Sequence, residues 1–160
     1  MKKTIVYYSM SGNTENIAKK ISEKVDVDLI KLVPKKEYPN KGLKKYLWGG
    51  KSAVMGETPL LEDYQFDASK YDHIIIGTPV WASSFTPPIR TFIKDNKEGL
   101  KGKKISVFIT YMGGGADKAL NKLKEFLEID EFKSELVLMD SSKEKDMMID
   151  YFCKKLKLDL

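Results

Sequence analysis

Five short apolar runs, separated by longer segments, constrain the fold of this chain more than any other feature. The runs are rich in Ile, Val, Leu, Tyr and Phe, and they cover residues 4–8, 27–33, 71–77, 104–110 and 135–139. Runs of this length and composition predict strands, and the least alternating one, at 71–77, predicts the most deeply buried strand. Strands that alternate with helical segments predict a parallel sheet that is covered on both faces.

Helical patterns fill most of the segments between these runs. The predicted helices lie at 16–25, from 87 onward, at 117–127 and from 141 to about 156, where apolar side chains recur every three or four residues. Pro87 directly after Thr86 is typical of a first helical position. Ser141 and Glu144 predict a capping box at the start of the last helix. A further helix at 41–54 is weakened by two adjacent glycines, by about 1 kcal/mol each.

The turn after the first apolar run has the composition of a phosphate site. It comprises residues 9–14, and the first predicted helix follows it closely. Unpaired backbone N–H groups and the positive end of the helix dipole favour a phosphate at such a junction. Ser9, Ser11 and Thr14 offer hydroxyl donors, and Gly12 lets the backbone approach a ligand closely. The turn contains no lysine or arginine, so we expect one phosphate held by neutral dipoles.

Two further strand ends carry aromatic side chains on small, flexible backbones. They are the segments 77–86 and 110–116, which contain Trp81, Tyr111 and three consecutive glycines. In open α/β sheets, ligands bind beyond the carboxyl ends of the strands. Aromatic side chains and main-chain groups in such loops suit a flat ring that is held by stacking and hydrogen bonds. Together with the phosphate turn, they indicate a mononucleotide-like cofactor with a planar head.

Composition narrows the function classes. The 160 residues fit one domain, and the net charge of +5 comes from lysines scattered among acidic residues, so we expect no nucleic-acid partner. No apolar run is long enough to span a bilayer, so we expect no membrane partner. The single Cys153 permits no internal disulfide, which favours a cytoplasmic location and buried packing of the thiol. The single His73 has no cysteine or histidine cluster near it, so we expect no metal site.

These motifs resemble those of the flavodoxin family of FMN-binding proteins, and most closely its small members. The resemblance rests on Ser9-x-Ser11-Gly12-x-Thr14 after the first strand, Gly77-Thr78-Pro79-Val80-Trp81 after the third, and Thr110-x-x-Gly113-Gly114 after the fourth. It implies an α/β, flavodoxin-like three-layer sandwich in which a five-stranded parallel sheet of order 2-1-3-4-5 has helices on both faces. One such domain would span residues 1–160 and bind FMN at the junction of strands one and three.

The resemblance also assigns roles by position. The FMN phosphate would be held by Ser9, Ser11, Gly12, Asn13 and Thr14. The ribityl chain and one ring face would be lined by Thr78, Pro79, Val80, Trp81 and Ala82. The other side would be closed by Thr110, Tyr111, Gly113 and Gly114. The chain departs from electron-carrying flavodoxins in being basic, and it lacks the Asp-Tyr pair that many of them have in the loop after strand four.

The sequence allows three functions to be compared. The favoured one is an FMN electron carrier that exchanges electrons with a redox partner protein, because the three loops contain no obvious general acid, base or nucleophile. The alternative is an NAD(P)H-dependent FMN oxidoreductase that acts on a quinone or similar small acceptor, for which three glycines leave the ring more open. A phospho-acceptor signalling domain would need acidic residues where Ser9, Met10 and Thr78 stand, so the sequence disfavours it.

Overall fold

The five apolar runs form one parallel sheet in the computed structural model of this chain, which describes residues 1–39 and 50–158. The strands are β1 (Lys3–Tyr7), β2 (Asp28–Lys31), β3 (His73–Pro79), β4 (Lys104–Tyr111) and β5 (Glu135–Met139). Their order is β2-β1-β3-β4-β5, and every neighbouring pair is parallel. This confirms the predicted fold class and strand order.

Helices cover both faces of the sheet. They are α1 (Asn13–Ser22), α2 (Pro87–Leu100), α3 (Ala116–Leu127) and α4 (Lys145–Leu158), together with a short helical stretch at 50–54 and a 3₁₀ turn at Ala68–Lys70. The apolar sides of α1 and α4 pack on one face, where Phe152 and Cys153 are buried. Those of α2 and α3 pack on the other, around Phe92 and Leu123. Two layers of helices thus exclude water from both faces of a sheet whose central strands are almost wholly apolar.

The last helix begins later than the sequence predicts. Residues 141–144 form turns, and α4 starts at Lys145. Within these turns the Ser142 hydroxyl accepts a hydrogen bond of 3.3 Å from the backbone N–H of Glu144. This local side-chain bond competes with a helix start at Ser141, so the capping-box prediction was wrong. Of the predicted helix at 41–54, residues 50–54 are helical and the rest lie outside the described residues.

A polar contact ties the first residues of the chain to the edge strand β2. The Asp28 carboxylate accepts a hydrogen bond of 2.8 Å from the Tyr71 hydroxyl and lies 3.0 Å from the Lys2 ammonium. The hydrogen bonds from Lys2 and Tyr71 hold the pKa of Asp28 below its ordinary value of 3.8. The contact therefore helps to fasten β2 onto β1 at the end of the sheet remote from the strand-end loops.

Candidate functional site

The carboxyl ends of the central strands enclose a pocket of about 340 Å³. Its walls come from the loops after β1, β3 and β4, from the residue after β5, and from Gly50 of the helical stretch. The predicted site residues that line this pocket are Ser11, Asn13, Thr14, Pro79, Val80, Trp81, Ala82, Thr110, Tyr111, Gly113 and Gly114. The fold therefore brings together the three segments that the sequence singles out.

Three predicted site residues lie beside the pocket without lining it. The Ser9 hydroxyl accepts a hydrogen bond of 3.1 Å from the backbone N–H of Gly12, so these two residues shape the turn. Thr78 is fully buried, and its hydroxyl donates to the carbonyl of Pro79 and accepts from the N–H of Thr86. The Thr78 hydroxyl is therefore engaged in fastening the loop after β3 to the start of α2.

The lining includes four residues that sequence reasoning missed: Met10, Gly50, Met112 and Asp140. Met10 and Met112 stand inside predicted loops, so their place could have been inferred from neighbours. Asp140 directly follows β5, and the carboxyl ends of parallel strands share one edge of the sheet, which was a usable signal. The sequence gives no indication that Gly50 lines the pocket, because it belongs to a segment without a recognisable motif.

The start of α1 forms one end of the pocket, the α1 end, which has the features of a phosphate-binding site. Gly12 adopts a left-handed conformation, with φ of 93°, directly before the first helical residue. The backbone N–H groups of the first helical turn have no partner within the helix, and the helix dipole adds positive potential there. Nearby, Glu15 holds the ammonium groups of Lys31 at 2.7 Å and Lys19 at 2.9 Å, and these bonds lower the pKa of Glu15. Both lysines are thus committed to a carboxylate outside the pocket.

Two threonine hydroxyls meet at the floor of this end of the pocket. Thr14 is 1% exposed, and its hydroxyl lies 2.9 Å from that of Thr110, at the end of β4. A hydroxyl donates one hydrogen bond and accepts two. If Thr110 donates to Thr14, the single proton of Thr14 is left for an anion at the helix start. The pair thus links the turn after β1 with β4.

A strained turn carries Trp81 to the wall of the pocket. Trp81 and Ser84 exchange two backbone hydrogen bonds of 2.9 and 3.0 Å across Ala82 and Ser83. Both central residues have positive φ, 48° and 58°, which is costly for residues other than glycine. Gly115 packs so closely on this turn that a Cβ there would lie 2.4 Å from the Ser83 Oγ. The loop after β4 therefore holds the loop after β3 in its conformation.

Two tyrosines, the buried Tyr8 and the half-buried Tyr38, pack against the tryptophan ring. Trp81 makes edge-to-face contacts with Tyr8 and Tyr38, with ring centroids 5.5 and 5.2 Å apart. Burial raises the pKa of Tyr38 to about 12, and it raises the pKa of Tyr8 as well. Both phenols are therefore neutral at physiological pH and serve as aromatic packing that fixes the position of Trp81.

The chemistry of the described lining fits a phosphorylated cofactor with a planar ring. Hydroxyl, amide and backbone donors lie at the α1 end, with Ser11, Asn13 and Thr14, and an aromatic wall lies at Trp81 and Tyr111. Asp140 accepts a hydrogen bond of 3.1 Å from the Asn13 side-chain amide, and it retains acceptor capacity for a sugar-like hydroxyl. In the described part of the chain, no group of three or more His, Cys, Asp or Glu side chains could hold a metal ion.

Fold and site together define a doubly wound α/β protein with a cofactor pocket at the switch in strand order. The family model for flavodoxin matches residues 2–155, so this chain belongs to the flavodoxin family. No curated protein matches the chain. None of the helices among residues 1–39 and 50–158 is long and apolar enough to cross a membrane.

Solved structures of the same fold come from several bacteria. A flavoprotein from Lactobacillus acidophilus, solved in complex with FMN, is 24% identical with a TM-score of 0.70, over 92% of this chain and 97% of that one. Its apo form, solved by NMR, is 27% identical with a TM-score of 0.61, over 92% and 96%. Two-electron reduced flavodoxin from Megasphaera elsdenii is 20% identical with a TM-score of 0.62, over 96% of both chains.

Proposed function

We propose that this protein binds one FMN in the described pocket and carries electrons between redox partners. The phosphate binds at the start of α1, where the donors are neutral, and Thr14 supplies a hydroxyl proton. Trp81 and Tyr111 flank the ring. Flavin chemistry supplies the redox step, while the protein binds the cofactor, orients it and sets the access of solvent and partners to its edge.

The observation that carries the proposed carrier function is the scarcity of proton-transferring groups around the pocket. Among the described lining residues, Asp140 and Tyr111 are the ionisable ones. The Asp140 carboxylate accepts a hydrogen bond from the Asn13 side-chain amide at the α1 end of the pocket. Tyr8 and Tyr38 behind that wall remain protonated. Transfer of an electron to a partner needs no acid or base from the protein, whereas turnover of many substrates does.

The size of the pocket also supports a carrier. Its volume of about 340 Å³ lies near the lower end of the range of roughly 300–1,000 Å³ for small-molecule sites. One cofactor fills such a space, so a partner must meet the cofactor at its exposed edge. A redox partner protein in the cytoplasm is the natural counterpart in this proposal, because a protein can dock over that edge without entering the pocket.

One observation favours the oxidoreductase as a second candidate. A Cβ added at Gly113 or Gly114 would meet nothing within 4 Å, and Met112 is 65% exposed. This side of the pocket is therefore open, and a nicotinamide ring could reach the flavin there. Hydride transfer requires orientation of the two rings more than an acid or base.

Anaerobic stopped-flow mixing of the FMN-loaded protein with NADH and with NADPH separates the two functions. A carrier should be reduced slowly by either nucleotide, and its stepwise reduction by dithionite should resolve two one-electron transitions. Reduction on the order of 10 per second, a typical enzymatic rate, would contradict the carrier and establish the oxidoreductase.

A further inference from the structure

The formal charge among the described residues that line the pocket has the same sign as that of a phosphate. Among the lining residues that the structure describes, Asp140 is the one that carries a formal charge. It is half-buried, and its carboxylate accepts the 3.1 Å hydrogen bond from the Asn13 Nδ2. None of the ion pairs between described residues involves Asp140.

Two described lysines near this end of the pocket bond to acceptors other than the Asp140 carboxylate. Lys145, at the start of α4, donates its ammonium proton to the backbone carbonyl of Asp140. Lys31 is bound to the Glu15 carboxylate at 2.7 Å. Neither ammonium therefore forms an ion pair with the Asp140 carboxylate, and the charge of Asp140 is offset only in part.

Asn13 connects this carboxylate to the α1 end of the pocket. It is the first residue of α1, whose N-terminal N–H groups face the expected phosphate. A carboxylate can only accept, so the Asn13 amide must turn its Nδ2 toward Asp140. An anionic side chain and a bound phosphate dianion would consequently share one helix end.

We propose that Asp140 is a specificity-determining residue, whose negative charge lowers the preference of this pocket for a phosphorylated flavin over an unphosphorylated one. The inference rests on the proposed function, because it concerns the FMN site. Repulsion between like charges in a solvent-open pocket weakens phosphate binding, and salt screens that repulsion. The start of α1 and its hydroxyl groups make the pocket prefer FMN over riboflavin, and the charge of Asp140 limits that preference.

The ratio of the riboflavin dissociation constant to the FMN dissociation constant isolates this effect, because the ring and ribityl contacts are common to both ligands. Asp140→Asn keeps an oxygen that accepts from Asn13 and removes the charge. We expect the ratio to rise about three- to tenfold at low salt, and the gain to shrink in 1 M salt, where screening acts within about 3 Å. Asp130→Asn is the matched control. Asp130 is exposed and precedes β5, so it lies at the end of the sheet where the strands begin, whereas the pocket lies where they end.

Titration of the apoprotein and its variants with both ligands distinguishes the outcomes. An unchanged ratio in Asp140→Asn, or an equal rise in Asp130→Asn, would overturn the inference while FMN binding by the parent protein still supports the proposed function. Equal losses for both ligands would also overturn it and make Asp140 a ribityl acceptor. Failure of the parent protein to bind FMN would overturn both proposals. Should Asp140→Asn fail to fold, Asp140→Ser removes the same charge and must show the same rise.

Discussion

Replacing Thr14 with valine removes one hydroxyl from the pocket while it keeps the branched shape of the side chain. In the proposed site this hydroxyl donates to the FMN phosphate, and a hydrogen bond to a charged group contributes about 1.5–3 kcal/mol. Thr14→Val should therefore weaken FMN binding by about 12- to 150-fold. Riboflavin has no phosphate, so its affinity should change by much less.

The same substitution should destabilise the apoprotein. Thr14 is 1% exposed, and its hydroxyl lies 2.9 Å from that of Thr110, which is 3% exposed. Valine at position 14 leaves the Thr110 hydroxyl buried without this partner, at a cost of about 1–3 kcal/mol. The double variant Thr14→Val with Thr110→Val replaces both partners with apolar groups, so it should recover part of the lost free energy of unfolding.

Titration calorimetry with FMN and riboflavin measures the binding change, and urea unfolding of the apoprotein measures the stability change. Thr91→Val is the matched control, because Thr91 is a buried, hydrogen-bonded threonine of α2 that does not line the pocket. It should lower stability and leave the FMN affinity close to that of the parent. If Thr14→Val binds FMN as tightly as the parent protein, the phosphate does not bind at the Thr14 hydroxyl and the reasoning is refuted.

Three further substitutions test the scaffold. Gly115→Ala should lower both thermal stability and FMN affinity, since its Cβ would lie 2.9 Å from the Ser83 Cα at a φ of 85°; unaltered melting would argue against the locked turn. Gly77→Ala should cost about 1–3 kcal/mol in urea unfolding, because its Cβ would fall 2.2 Å from the Phe108 ring. Asp28→Asn should destabilise at pH 7, and this loss should shrink as the pH falls below 3.8 and through the lowered pKa of Asp28, because protonation removes the charge that Lys2 and Tyr71 stabilise; a pH-independent loss would contradict this.

Local patterns in the sequence were sufficient for the fold. The strand–turn–helix unit at the start of the chain is encoded within residues 4–25, and the glycine at its turn adopts the left-handed conformation that only glycine takes easily. Alternating strands and helices then left few topologies, because crossovers between parallel strands are right-handed. The start of α4 was misjudged because the Ser142 hydroxyl bonds to the backbone N–H of Glu144 in a local turn, and the sequence does not show that this turn replaces the capping box.

Contacts across long sequence separations could not be predicted in the same way. The Thr14–Thr110 and Asn13–Asp140 pairs join residues 96 and 127 positions apart, and each depends on the register of strands at the sheet edge. Thr78 stands in a motif typical of flavin loops, yet its side chain points into the protein and bonds to Thr86. The face on which a strand-end residue falls is decided by packing, which the motif alone does not record.

Titration of the apoprotein with FMN, followed by calorimetry and by the absorption spectrum of the complex, is the decisive test of FMN binding at the start of α1. We expect one FMN per chain, a flavin spectrum perturbed by the aromatic wall at Trp81, and tighter binding of FMN than of riboflavin. Equal affinity for FMN and riboflavin, or no binding of either, would contradict a phosphate site at the start of α1.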